Sequence, residues 1–466
     1  MAELFRARVA PTREKRSAAL AAFHGTLAAL AREAEVPVPR LRTFVHDHPS
    51  DLQAALALLS GVAGLGVVVH GPAGCAAALR GARGPWASTG LDQRDSILGG
   101  EARLAQTVRA LHAAHAPQAI AVVATPVVAI NNDDIETTAV ELREELGIPV
   151  FAVGCDGFRS RLAGTGTDVA LQALLRHLLP PRPRERGGQL LLLANGSSAA
   201  DVAAAGALLA ELGLGWSALP QGLAVGTLEA VASARLAVAL DGEDDGHAAA
   251  LLQEGYGVPA ITPPPPIGRA ASSRWLAAVG DATGHGAQAR LLATRHEQRL
   301  AEAAAPLARF AGARVAVALP AAQAAAFDTL LAELGLHGAG FVLPSVSAGE
   351  RAAVATLAQA GGERPVIVGE GQGFEETHLL RRLAPDLMVT RGQPAAHALA
   401  LGIPVLDLHT TPITGYDGFE AVARAIGRRL ARPALAAFLG DGPAREDYTP
   451  GWLGRSPNWY VKQEAR

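Results

Sequence analysis

Short apolar runs rich in β-branched residues alternate along this chain with longer Ala- and Leu-rich stretches. A turn marked by Gly or Pro separates them, and the next apolar run is often introduced by G-x-P or Leu-Gly. Because Ala is tolerated on either face of a helix, the alternation of element types carries more weight here than amphipathic periodicity. Apolar runs alternating with helical stretches of about 10–15 residues predict βαβ units built around parallel sheets.

Three sets of such units follow one another. The first has strands at Leu65–His70, Ala119–Thr125 and Pro149–Val153, with a helix over Glu136–Leu146. In the second, a strand over Gln189–Ala194 turns at Asn195-Gly196-Ser197 into a helix over Ala199–Leu212 and returns at Trp216–Leu219. The third comprises Arg314–Leu319, a helix over Ala321–Leu334, and strands at Gly340–Leu343, Pro365–Gly369, Asp386–Thr390 and Ile403–Leu408. The pattern predicts an α/β fold of three Rossmann-like modules with parallel β-sheets around a central cleft. Boundaries are placed near 186 and 305, giving an N-terminal module over 1–186, a middle module over 187–304 and a C-terminal module over 305–430. A last helix near Gly418–Leu430 precedes a polar tail, 431–466. Pro180–Gly188 reads as a linker and Pro263–Pro266 as a rigid connector.

Composition narrows the function classes. Of the 466 residues, 49% are hydrophobic and 18% charged, enough apolar side chain for a large core. A net charge of −3 lacks the basic footprint of a general nucleic-acid binder, so no nucleic-acid partner is expected. Two cysteines exclude a disulfide framework and fit a reducing cytoplasm. The N-terminal stretch scatters charges and has no apolar core of a secretory signal, and Ala119–Ile130, broken by Pro126, is too short for the ~20 residues of a membrane span. A cytoplasmic protein without a membrane partner is the expectation.

The most informative stretch is Val67-Val68-Val69-His70-Gly71-Pro72-Ala73-Gly74-Cys75. A strand is expected to end at His70, a tight turn to follow, and Cys75 to sit where a helix begins. There the helix dipole and free N–H groups lower a thiol's pKa and favour a thiolate suited to metal or sulfide chemistry. On the residues alone, a structural Cys at a turn into an apolar helix is the alternative. Asn195-Gly196-Ser197-Ser198 and Gly369-Glu370-Gly371-Gln372-Gly373 follow strands but lack the spacing of a dinucleotide fingerprint or the Lys of a P-loop. His46 with His48, and His112 with His115, have no third ligand nearby and read as surface histidines. Neither an H-E-x-x-H helix nor a G-x-S-x-G elbow is present.

The order H-G-P-A-G-C, then Asp92-Gln93-Arg94-Asp95-Ser96-Ile97-Leu98-Gly99-Gly100, then Asn131-Asn132-Asp133-Asp134-Ile135, then Gly154-Cys155-Asp156-Gly157-Phe158-Arg159 resembles the nitrogenase component 1 superfamily. Pro266-Ile267-Gly268-Arg269 is similar to its middle domain, and Leu401-Gly402-Ile403-Pro404 with Gly415-Tyr416-Asp417-Gly418-Phe419 to its C-terminal domain. The resemblance implies an iron–sulfur cluster, 4Fe–4S or P-cluster-like, held at a subunit interface by cysteines of both chains. Cys75 is its metal ligand here, with Gly71 and Gly74 of the same motif as cofactor-binding positions. Ser50 stands where the first ligand is expected, and Pro126, or Thr125, where the third is expected. This chain therefore cannot hold a cluster alone. Cys155 matches a family position that is not a ligand. The middle-domain cysteine that holds the larger iron–sulfur cofactor in some chains has no counterpart; Asp241 and its acidic neighbours occupy that region and read as a solvated turn. His409 is the nearest counterpart of that cofactor's histidine.

From the resemblance we expect a β-type subunit of a nitrogenase-like two-component reductase, paired with a homologous α-type subunit in a heterotetramer. It would receive electrons from an ATP-dependent iron–sulfur reductase through the interface cluster. The larger iron–sulfur cofactor would lie in the partner subunit, and methylthio-alkanes are a candidate substrate class. The alternative is a scaffold subunit for assembly of a nitrogenase-type iron–sulfur cofactor.

Overall fold

Strands buried on both faces need near-continuous apolar sequence, and the runs singled out above supply it. The computed structural model describes residues 23–33, 50–79, 82, 84–155, 163–179, 186–242, 247–369, 373–391 and 396–432. His46, His48, Asp156–Arg159, Glu370–Gln372 and the tail beyond Arg432 lie outside the described residues. In chain order the strands are β1 (Phe23–Thr26), β2 (Leu65–His70), β3 (Trp86–Ser88), β4 (Ala119–Ala124) and β5 (Val150–Gly154). Next come β6 (Leu190–Leu193), β7 (Trp216–Leu219), β8 (Leu236–Ala239) and β9 (Ala260–Ile261). The last five are β10 (Arg314–Ala318), β11 (His337–Leu343), β12 (Pro365–Val368), β13 (Leu387–Thr390) and β14 (Val405–Asp407).

These strands form three sheets, in the orders β3-β2-β4-β5, β7-β6-β8-β9 and β1-β12-β11-β10-β13-β14. All pairings are parallel except that of β1 with β12. The α/β class with parallel sheets is thus as the sequence predicts. Two compact units divide the chain, one spanning 49–263 and the other combining residues up to 48 with those from 264 onward. The division falls inside Pro263–Pro266.

Within the first unit the period of two along β2 sorts its side chains between two layers. Val67 and Val69 join a core that includes Leu56, Leu59 and Leu174, whereas Val68 packs with Leu104, Val108 and Ile120 on the other face. The helix Asp51–Ser60 closes one layer against the helix Ala163–Leu178. They cross so closely at Gly166 that a Cβ there would lie 1.9 Å from the carbonyl oxygen of Asp51. No helix among the described residues is long and apolar enough to cross a membrane.

The second unit draws one strand from far up the sequence. β1 caps the edge of the third sheet, with His24 opposite Ile367, instead of joining the first module. The helices Arg269–Thr283 and Gly286–Arg299, on the middle-module side of the boundary set near 305, also belong to this unit. β1, β3, β8 and β9 escape the sequence pattern; β1, β3 and β9 are short or mixed runs with no readable period, whereas β8 is as long and as apolar as β6.

Burial pushes His24 down to about 4, and the positive charges of His378 and Arg382 push the same way. Its folded-state pKa lies below the unfolded value, so the unfolded chain alone takes up this proton as pH falls through the interval between them. Stability is therefore expected to decline from about pH 6.5 to about pH 4, by roughly 2–3 kcal/mol from this group. Urea unfolding of wild type and His24→Gln across that interval checks it: equal slopes with pH would refute the assignment.

Candidate functional site

The chain leaves β2 toward β3 on one side and reaches β4 on the other, so the loops after β2 and β4 diverge. Such a switch point opens a crevice beyond the carboxyl ends of parallel strands, the usual ligand position in open α/β sheets. His70 ends β2 and Thr125 follows β4, which puts Gly71–Cys75 and Thr125 at this crevice.

The structure brings the two loops into intimate contact. A Cβ on Gly71 would lie 2.2 Å from Thr125 Oγ1 and 2.8 Å from its Cγ2, so only glycine lets the H-G-P-A-G-C turn reach the Thr125 side chain. Thr125 is fully buried, and its Oγ1 has no hydrogen-bond partner. It is the N-cap residue of the helix Pro126–Asn131, yet its side chain makes no capping bond. The hydroxyl instead sits near the Cys75 thiol, close enough to favour the thiolate.

Cys75 itself departs from expectation. The segment Ala73–Leu79 is a 3₁₀ helix, and the Cys75 N–H bonds Pro72 O at 3.0 Å. Its own amide is thereby consumed by the turn. Burial pushes the half-buried thiol up from its ordinary value, and the opposing pull of Thr125 is smaller. The lowered pKa anticipated from a helix start is thus corrected: desolvation raises it.

Behind the turn lies a buried polar network. His70, fully buried, reaches Thr89 Oγ1 at 3.2 Å through Nδ1 and Asp133 Oδ2 at 3.1 Å through Nε2. Burial lowers the His70 pKa and outweighs the opposing carboxylates of Asp133 and Glu101. A neutral ring satisfies every atom if Nε2–H donates to Asp133 and Nδ1 accepts from the Thr89 hydroxyl. Thr89 Oγ1 then accepts the Gly71 N–H at 2.9 Å, while Gly71 O takes the Leu91 N–H. The network therefore ties β2, the loop after β3 and the Asn131–Asp134 loop to the residue that abuts Thr125.

The remaining sequence candidates have diverse fates. Ser50, at the first ligand position, caps the helix Asp51–Ser60: its Oγ accepts from Gln53 N, and Gln53 Oε1 accepts from Ser50 N. Gly74 is exposed, and a Cβ there would meet nothing within 4 Å, so the fold of this chain does not require glycine there. Cys155 is buried in the apolar core. Asp241 is not a solvated residue, as its acidic sequence context suggests, but is buried at the switch point of the second sheet, where it accepts from Gly196 N at 2.8 Å and from the Ser197 hydroxyl. The turn flagged as an anion site is thus filled by the chain's own carboxylate. His409 lies exposed after β14, its N–H bonded to Asp407 Oδ1, and belongs to the other compact unit. His112 and His115 lie on the helix Glu101–His115, and among the described residues no third metal ligand joins them. Not singled out as site residues from sequence were His70 and Asp133, although both lie inside the quoted motifs, and Thr89, which lies outside them.

Beside the crevice three large apolar side chains face outward: Ile97 and Leu98, 81% and 77% exposed on the helix Gln93–Leu98, and Ile130, 71% exposed on the neighbouring helix Pro126–Asn131. Together they form an exposed apolar patch.

The sequence profile described as nitrogenase component 1 type oxidoreductase matches residues 50–431. The chain belongs to that family. Among its relatives, the nitrogenase iron-molybdenum cofactor biosynthesis protein NifE of Methanococcus maripaludis is 23% identical over 386 residues, covering 78% of this chain and 80% of that protein. The NifE of Nostoc sp. is 25% identical over 408 residues and covers 82% of each. A shorter match, 32% identical over 126 residues and 24% of each chain, is to the nitrogenase molybdenum-iron protein alpha chain of Methanosarcina barkeri. The solved structure of nitrogenase Cp1 at pH 6.5 shares the fold with a TM-score of 0.73 at 18% identity, covering 86% of this chain and 96% of that one.

Members of this nitrogenase component 1 type family bind iron–sulfur clusters. The donor set here fits a share of such a group and not the whole: one half-buried thiol faces an orphaned hydroxyl, and no three His, Cys, Asp or Glu gather to hold a metal ion among the described residues. A Cβ on Gly100 would lie 2.6 Å from Asp133 Oδ2 and 2.8 Å from His70 Cε1. Gly100→Ala is accordingly expected to force the His70–Asp133 pair apart and to destabilise the first unit by about 1–3 kcal/mol, read as an earlier urea midpoint. An unchanged midpoint would mean the pair is not held tightly.

Proposed function

We propose that this chain is one subunit of a nitrogenase component 1 type assembly that shares an iron–sulfur cluster with a homologous partner chain, Cys75 supplying its thiolate. Its role in that assembly is the scaffold role, carrying a nitrogenase-type cofactor while it is built. The observation that carries the scaffold role is the extent of the relatives: those matched over about four fifths of both chains are named cofactor biosynthesis proteins, whereas the match to a nitrogenase alpha chain covers 24%. That match, to an alpha chain, also favours an α-type position over the β-type one expected from the missing ligands. A heterotetramer of two unlike pairs suits a site that holds only one of its thiolates.

An iron–sulfur cluster, when bound, exchanges single electrons. The residues of this chain would fix the Cys75 turn against Thr125, keep the His70 ring neutral behind it and cap the neighbouring helix with Ser50. The second reading is a two-component reductase, with methylthio-alkanes as the candidate substrates, fed by an ATP-dependent iron–sulfur protein. The outward-facing Ile97, Leu98 and Ile130 offer it a docking face.

Anaerobic co-purification with the partner chain, followed by iron and sulfide quantitation, tests the metal site. Cys75→Ala is expected to strip the shared cluster, costing more than the roughly 10-fold in metal affinity that an outer-shell change costs; equal iron in both would refute it. Reductase-dependent product formation by the wild-type complex would decide for the reductase role and against the scaffold one. Leu98→Asp is expected to weaken the binding of an electron-donating partner about 10-fold or more, since burying one Leu contributes about 1.5–3 kcal/mol. Titration of the complex with that partner reads it, and an unchanged affinity would remove this face from the docking surface.

A further inference from the structure

Among the described residues at the β2/β4 crevice, Thr125, which with Pro126 is one of two positions where family resemblance places a cysteine ligand, has a buried hydroxyl that makes no hydrogen bond. Two ordinary uses are open to it. As an N-cap it should accept from the second or third N–H of the helix Pro126–Asn131, and it does not. As a buried Thr it should find some other acceptor, and its side chain is instead wedged against the Cα of Gly71 in the turn that carries Cys75. Leaving such a group unpaired destabilises the free chain, so a Val of the same shape would serve the fold better.

We propose that Thr125 is a positioning residue whose hydroxyl donates a hydrogen bond to the Cys75 sulfur once that sulfur is a metal-bound thiolate. It is not a replacement ligand: a neutral hydroxyl is a poor ligand for iron, whereas a coordinated thiolate is a good acceptor in want of a donor. The buried oxygen, which meets no partner in good hydrogen-bond geometry, and the half-buried sulfur meet in one crevice, and cluster binding would turn that sulfur into a stronger acceptor. Hydrogen bonds to cluster sulfurs raise the reduction potential. Thr125 would thus tune the shared cluster and favour its retention. The inference rests on Cys75 being a cluster ligand.

The test separates the free chain from the assembled complex, using Thr125→Val, which removes only the hydroxyl, and Thr125→Ser, which restores it. In the free chain, Thr125→Val is expected to melt about 2–4 °C higher, because an unsatisfied hydroxyl is gone. In the anaerobic complex the same variant is expected to lower the potential of the Cys75-dependent cluster, shifting its oxidised-to-reduced ratio at fixed potential roughly 3- to 10-fold, with altered electron paramagnetic resonance of that cluster. Thr125→Ser should return both to wild type. A merely structural role predicts the reverse: a lower melting temperature and an unmoved potential, and either result overturns the inference. Cys75→Ala, run alongside, keeps the failures apart. Should it leave the cluster signal intact, the ligand reading falls and this inference with it; should it abolish the signal while Thr125→Val leaves the potential unmoved, only this inference falls.

Discussion

The contact of the Gly71 backbone with the Thr125 side chain is the constraint on which the site depends. β2 and β4 are parallel neighbours, and the chain leaves their carboxyl ends in opposite directions, so nothing in the sheet ladder itself holds the two loops together. Glycine at 71 lets them meet; the His70–Thr89 and His70–Asp133 bonds fix the backbone on either side of that contact. A larger residue at 71 would push Cys75 and Thr125 apart while leaving the strands paired. The fold and the site can therefore fail separately, as expected where a rigid scaffold positions functional loops.

That separation also explains what the sequence disclosed. Strands β2, β4, β6 and β13 were legible because a strand buried on both faces is largely apolar, and these are. β7 was placed to the residue at Trp216–Leu219. β1 was not legible, for its pairing partner Pro365–Val368 lies more than three hundred residues away and no local pattern encodes it. In the site, Cys75 and Gly71 stood out through their motif, whereas the rise of the thiol pKa did not, since it arises from packing against a core assembled from distant segments. Ser50 shows the same limit from the other side: the position was marked by family spacing, but its use as a helix cap depends on Gln53 answering it.

The two parallel sheets of the first unit treat their switch points in opposite ways. At β6/β8 a carboxylate of the chain, Asp241, occupies the Asn195–Ser197 turn and bonds its N–H and hydroxyl donors, so the place where a ligand would sit is already taken. At β2/β4 no such internal partner is supplied: the thiol is half-buried, the Thr125 hydroxyl is unpaired, and apolar side chains stand exposed nearby. A carboxylate of the chain fills one crevice, and the other is, on the proposed reading, completed from outside. A fold whose every module offers the same topological opening needs some means of choosing among them, and satisfying the unwanted opening with its own side chains is the simplest. On that view the unpaired groups around Cys75 are not defects of packing. In the proposed assembly they would be the half of a site that a second chain and its cluster finish, and their cost in the isolated chain would follow from that role.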